Sequence, residues 1–108
     1  MAKFVDTYNA VVGFHRYPTA PQFCLYLAAR HRHVFVVRCS FEVKHNNRQI
    51  EINEQQNKIE AYLCAKYGHP CEFGDMSCED IAEELLTHFG ASKVQVLEDD
   101  YGGATVTK

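Results

Sequence analysis

One long alternating run constrains this chain more than anything else in it. From Arg32 to Lys44 the odd positions are His33, Phe35, Val37, Cys39, Phe41 and Val43, apolar throughout after the histidine. The even positions pass from Val34 and Val36 to Arg38, Ser40, Glu42 and Lys44. Period two is the strand repeat, so one face is buried along its whole length, and the other is apolar at one end and wet at the other. The run opens on His31-Arg32-His33, whose two imidazoles share a face roughly 7 Å apart. Read alone, such a pair is either a metal-binding start or two half-exposed strand residues. His15 is the natural third ligand, because it directly follows Val11-Val12-Gly13-Phe14, which reads as a strand end. Three neutral imidazoles with an open fourth position form a zinc site of the catalytic type.

Around that run the chain divides into short elements. Lys3 to Phe14 reads as a first strand, with Phe4, Asp6, Tyr8, Ala10 and Val12 on one face and Val5, Thr7, Asn9 and Val11 on the other. Pro18 and Pro21 then discourage regular structure, and the apolar stretch from Phe23 to Arg30 is a helical turn or a loop folded over the body. His45-Asn46-Asn47-Arg48 reads as a turn, and Gln49 to Ile52 as a short returning strand. Asn53 caps a helix running to about Tyr67 that buries Ile59, Tyr62 and Leu63, and Gly68 and Pro70 end it. A loop through Gly74 leads to Ser77, an N-cap with Asp80 at the third helical position. Ile81, Leu85, Leu86 and Phe89 form the stripe of that second helix, and Gly90 stops it. Lys93 to Glu98 is a strand, Asp99 to Gly103 a turn, and Ala104 to Thr107 a last strand. The resulting order, β-β-β-α-α-β-β, predicts a single α+β domain over residues 1–108. It is an antiparallel sheet with two adjacent helices on one face. Such a sheet leaves edges and one face uncovered, so an oligomer is expected.

The composition excludes several classes. With 46% hydrophobic residues, seven Phe and six Tyr, the chain belongs with ordinary globular proteins. Its net charge is -3, and Arg30-His31-Arg32-His33 is its one basic cluster, so no nucleic-acid surface is expected. Cys24, Cys39, Cys64, Cys71 and Cys78 are an odd set without a CxxC pair. With no secretory apolar region and no apolar run near membrane-spanning length, the reading is reduced thiols in a cytoplasmic protein with no membrane partner.

From about Phe4 to Val106 the chain resembles the 6-pyruvoyl-tetrahydropterin synthase and 6-carboxytetrahydropterin synthase family, the T-fold proteins. Val11-Val12-Gly13-Phe14-His15 stands where the family ends its first strand on histidine, and His31-Arg32-His33 where it has His-Gly-His. Glu51 matches the acidic residue before the first helix. Met76-Ser77-Cys78-Glu79-Asp80 matches the Pro-Thr-x-Glu-Asn opening of the second, and Val94-Gln95-Val96-Leu97-Glu98 the late Val-x-Val-x-Glu strand. The departures are equally specific. The nearest cysteine ahead of the pair is Cys24, seven residues before His31. Gly68-His69 lacks the aspartate of the family's Asp-His dyad, and Arg32 replaces the glycine between the zinc histidines.

The resemblance implies zinc on His15, His31 and His33, and a reduced pterin or related nucleotide-derived ring as substrate for lyase or isomerase chemistry on its side chain. It assigns Cys24 and His69 to catalysis, Glu98 to anchoring the ring and Glu79 to substrate binding. It further implies a homohexamer of two stacked trimers, with sites at subunit boundaries and His69 facing a neighbour's zinc. Each role has a plainer alternative: Cys24 as a packed thiol, His69 as a helix-dipole partner, Glu98 as a solvated strand end, Glu79 as a helix-start charge. Two other functions fit the same pattern, a non-catalytic T-fold module binding a pterin or purine, and a structural oligomer with a relic metal site.

Overall fold

The computed structural model describes residues 1–108. Strands β1 (Lys3–His15) and β2 (His31–Val43) pair antiparallel along their full length, from Lys3 opposite Val43 to His15 opposite His31. Both odd-numbered faces are the buried ones, as the alternation in β2 requires. A 3-10 segment, Gln22–Ala28, interrupts the connection between them, with a kink at Cys24. Arg30 closes that connection: its guanidinium covers the Phe14 ring at 3.6 Å and makes two hydrogen bonds to Glu72, at 2.8 and 2.7 Å.

Helix α1 (Ile52–Tyr67) and the short strand β3 (Cys71–Gly74) follow, then α2 (Cys78–Phe89), β4 (Lys93–Glu98) and β5 (Gly102–Thr107). The sheet order is β3-β1-β2-β4-β5. The fold is therefore α+β, a five-stranded sheet with its helices packed into one core. Ile59 and Leu63 of α1 and Ile81 and Leu85 of α2 are fully buried against Phe35, Val37, Val94 and Val96. Each such side chain contributes about 1.5–3 kcal/mol by leaving water. The opposite face carries Phe4 and Tyr8, each 50% exposed.

Three expectations change. Gln49 to Ile52 does not return as a strand: Gln49 Oε1 accepts from Lys44 N–H at 2.7 Å, and Ile50 turns toward the core. The N-cap of α1 is Glu51 and not Asn53, its carboxylate accepting from Glu54 N–H at 2.9 Å. A carboxylate suits that end of the dipole, and the contact holds Glu51 below the usual carboxylate range. The third change is β3, which pairs parallel to β1 at Gly13 to His15, separates the two helices in sequence and makes the sheet mixed where an antiparallel one was expected. The observed order is β-β-α-β-α-β-β. Cys71 and Phe73, both buried, are the only two apolar positions of that alternation, too short a pattern to read as a strand.

Ser77 caps α2 as its sequence indicates. Its hydroxyl accepts from Asp80 N–H at 3.1 Å and Asp80 Oδ2 accepts from Ser77 N–H at 3.0 Å. Gly90 closes α2 in the left-handed region (φ 68°), and its N–H donates to Leu86 at 2.9 Å. No helix is long and apolar enough to cross a membrane.

Candidate metal centre

The pairing of β1 with β2 sets His15 directly across from His31 and two positions from His33, all on the helix-covered face. Strand β4 lies against β2 with Glu98 opposite Phe35, so Glu98 joins the same face at the same end. The ligand atoms of His15, His31, His33 and Glu98 all lie within 4.8 Å of one another. The cluster forms the floor of a cavity of about 610 Å³, walled by Tyr17 and Leu27 from the connection after β1 and by Met76 to Glu79 at the start of α2.

Each imidazole is held through Nδ1. His15 Nδ1 is 2.9 Å from the Met76 carbonyl, His31 Nδ1 is 2.9 Å from the Ala29 carbonyl, and His33 Nδ1 is 2.7 Å from Asp99 Oδ2. Carbonyl and carboxylate oxygens only accept, so all three nitrogens must donate. In the neutral rings the Nε2 lone pairs are then the free ones, and they face the cluster. His15 Nε2 lies 2.8 Å and His33 Nε2 3.6 Å from Glu98 Oε2. In that neutral form neither buried nitrogen can donate to the carboxylate, and His15 pairs with Glu98 only when its ring is protonated. Buried polar atoms left unpaired are costly, and a cation between them would satisfy all of them at once. Three imidazole nitrogens and a carboxylate oxygen are donors that a metal ion such as zinc accepts, and Glu98 stands at the fourth position that the sequence left open.

The electrostatics agree with an electron-rich pocket. Burial works against a charged His15, but Glu98 and the Met76 carbonyl outweigh it, and its pKa is raised. Glu98 is held below the usual carboxylate range, first by His15 and then by His33, against the effect of burial. Asp99 is lowered by His33 and by the Val34 N–H. The Cys78 thiol is pushed up to about 12, mainly by burial, with Glu98 and Glu79 adding to it.

The sequence-indicated residues separate into two groups. His15, His31, His33 and Glu98 come together, and Glu79 stands at the cavity wall. Glu98 departs from its expected place: its carboxylate sits among the histidines, where a free ring-binding group was anticipated. Cys24 is buried in the kinked 3-10 segment and His69 is exposed in the turn after α1, and neither lines the cavity of the single chain. Asp99 and Cys78 were not singled out. Cys78 follows the N-cap of α2, which turns its thiol into the cavity, and the reach of Asp99 depends on a turn whose type its residues do not announce. Protein-family models give no match to this chain, and neither do curated protein sequences.

Proposed function

We propose that the protein is a zinc-dependent enzyme of the T-fold type, acting on a reduced pterin or a related nucleotide-derived ring in lyase or isomerase-type side-chain chemistry. The observation that carries this reading is the convergence of three Nε2 atoms and one carboxylate oxygen at the floor of a cavity large enough for a bicyclic ring. A bound zinc would supply Lewis-acid chemistry to a substrate oxygen there if Glu98 yields its place or the ion accepts a fifth donor. The chain supplies the rest. His15, His31 and His33, each in the Nδ1–H form, would hold the ion, and Tyr17 and Leu27 form one wall of the cavity. Glu79, exposed at the wall and without an ion-pair partner, offers a carboxylate to a ring amino group and its neighbouring N–H. Arg16 at the rim is held to Asp75 at 2.6 Å.

The placement of Cys24 and His69 outside the cavity favours a second reading, a ring-binding module without turnover. It equally fits an assembly in which His69 reaches a neighbour's site, and we propose that assembly as two stacked trimers.

Metal analysis of the purified protein, with a product screen on dihydroneopterin triphosphate, separates these readings. One zinc per chain with turnover supports the enzyme, and ring uptake without turnover supports the module. Neither zinc nor ring binding at millimolar concentration would sink both. His31→Ala and His33→Ala should each weaken zinc binding strongly, because each removes one of the four converging donors and leaves two imidazoles and Glu98. Zinc affinity in the His33 variant equal to that of the wild type would end the metal assignment.

A further inference from the structure

We propose that Asp99 is a positioning residue for this centre: its carboxylate fixes His33 as the Nδ1–H tautomer and so keeps the His33 Nε2 lone pair turned into the cluster. The inference rests on reading the cluster as a metal site. Its starting point is an irregularity of the backbone. Asp99 and Asp100 both lie in the left-handed region, at φ 55° and 56°, between the ends of β4 and β5. The Tyr101 N–H closes this turn on the Glu98 carbonyl at 3.0 Å. Glycine suits such positions best, and two glycines stand immediately beyond, at Gly102 and Gly103. Aspartate is one of the few other residues at home in such a turn, and at Asp99 its side chain makes contacts beyond the turn.

The side chain bridges two donors. Asp99 Oδ1 accepts from the Val34 N–H at 2.8 Å, and Oδ2 stands 2.7 Å from His33 Nδ1. The Asp99 N–H in turn donates to the Val34 carbonyl at 2.8 Å. The carboxylate is thus clamped to the backbone beside the very residue it orients. His15 and His31 have their Nδ1 atoms held by backbone carbonyls, so His33 is the one imidazole of the three oriented by a side chain. It is also the one oriented by a full negative charge, which makes its Nε2 a stronger donor. Both oxygens of Asp99 must accept. An asparagine has one acceptor only, so either the Val34 N–H loses its partner or an amide N–H2 faces His33 Nδ1. In the second case the ring proton moves to Nε2 and blocks the ligand position.

The test uses the full chain and four proteins: wild type, Asp99→Asn, Asp99→Gly and Asp100→Asn. Asparagine and glycine both tolerate the left-handed conformation, so the turn survives, and the thermal midpoints should fall only by the small amount that the lost Asp99 hydrogen bonds cost. Zinc affinity is measured by competition with a chromophoric chelator, and the His33 tautomer by nitrogen NMR of the metal-free protein above the histidine titration range. Both Asp99 variants should bind zinc on the order of 10- to 100-fold more weakly, with loss of the pure Nδ1–H form at His33. Asp100→Asn, whose side chain faces Arg38 at 3.4 Å, should match the wild type in both. Unchanged affinity and tautomer in both Asp99 variants would overturn the inference while leaving the metal site standing. A wild type that takes up no zinc would overturn the metal reading and this inference together.

Discussion

Glu98 carries two claims on one carboxylate. The resemblance gives it to the ring, and on that reading Glu98→Gln leaves zinc content unchanged because ring and metal use different strands. The geometry points elsewhere, since Oε2 lies 2.8 Å from His15 Nε2. Replacing the acid by its amide removes the one negative charge aimed at the ion. Zinc affinity should then fall by more than the roughly 10- to 100-fold that outer-shell changes cost. Glu79→Gln, altered only at the start of α2, should keep full affinity and weaken ring binding. Calorimetric titration of zinc into each variant, followed by neopterin, checks both expectations. Equal zinc affinity in wild type and Glu98→Gln would return Glu98 to the ring. Part of this was legible in the sequence: Val94, Val96 and Glu98 share a period-two face whose first two members are apolar, so the acid had to sit at the rim of a buried surface. That β4 pairs with β2, bringing this rim to the histidines, is a long-range choice that no local pattern encodes.

Between the two helices, Lys66 and Tyr67 of α1 both hydrogen-bond the Glu84 carboxylate of α2. Burial alone would push Glu84 up, but these two partners outweigh it, and its pKa lies below the ordinary 4.5. A depressed carboxylate stabilises the fold above its unfolded pKa and ceases to do so as pH falls through the folded value. Glu84→Gln should therefore cost about 1 kcal/mol at pH 7, chiefly through the weaker bond from Tyr67. Denaturation midpoints of the two proteins should converge as the pH is lowered past 4.5. A gap that stays constant down to that range, or widens, would contradict the assignment. The elements themselves were unevenly legible. The second helix was evident because its cap, its apolar stripe and its terminal glycine agree. The first begins earlier than expected because Glu51 competes successfully for the cap. Strand β3 escaped because it is defined by its partner: Gly13 of β1 lacks a side chain where the Phe73 and Phe35 rings crowd in. A Cβ there would stand 2.7 Å from Phe73 and 2.9 Å from Phe35.

The molecule is long for its size, 50 × 28 × 21 Å, because the two thirteen-residue strands set its axis. At about 3.3 Å per residue such strands reach well past the helices that cover them. Phe4 and Tyr8 remain half-exposed on the uncovered face, and Phe23 and Tyr26 stand 85% and 75% exposed on the 3-10 segment. The segregation of strands and helices made the α+β class and the open face readable from periodicity alone, whereas mixed pairing was not. The proposed assembly of stacked trimers would cover such a surface. Sedimentation equilibrium at micromolar concentration should give a mass several times 12.4 kDa, and a compact monomer would remove the shared-site idea.

The pairing of β1 with β2 also bears on the order in which the protein becomes itself. Three of the four candidate donors belong to one hairpin, and that hairpin is complete by Val43, before either helix has been made. A nascent chain therefore carries His15, His31 and His33 well before Glu98 is made. An ion captured at that stage would tie the open ends of the two strands in their final register, since sliding them would pull His15 away from His31. The last strand would then arrive at a template already set, its carboxylate closing a site that the first third of the chain had begun.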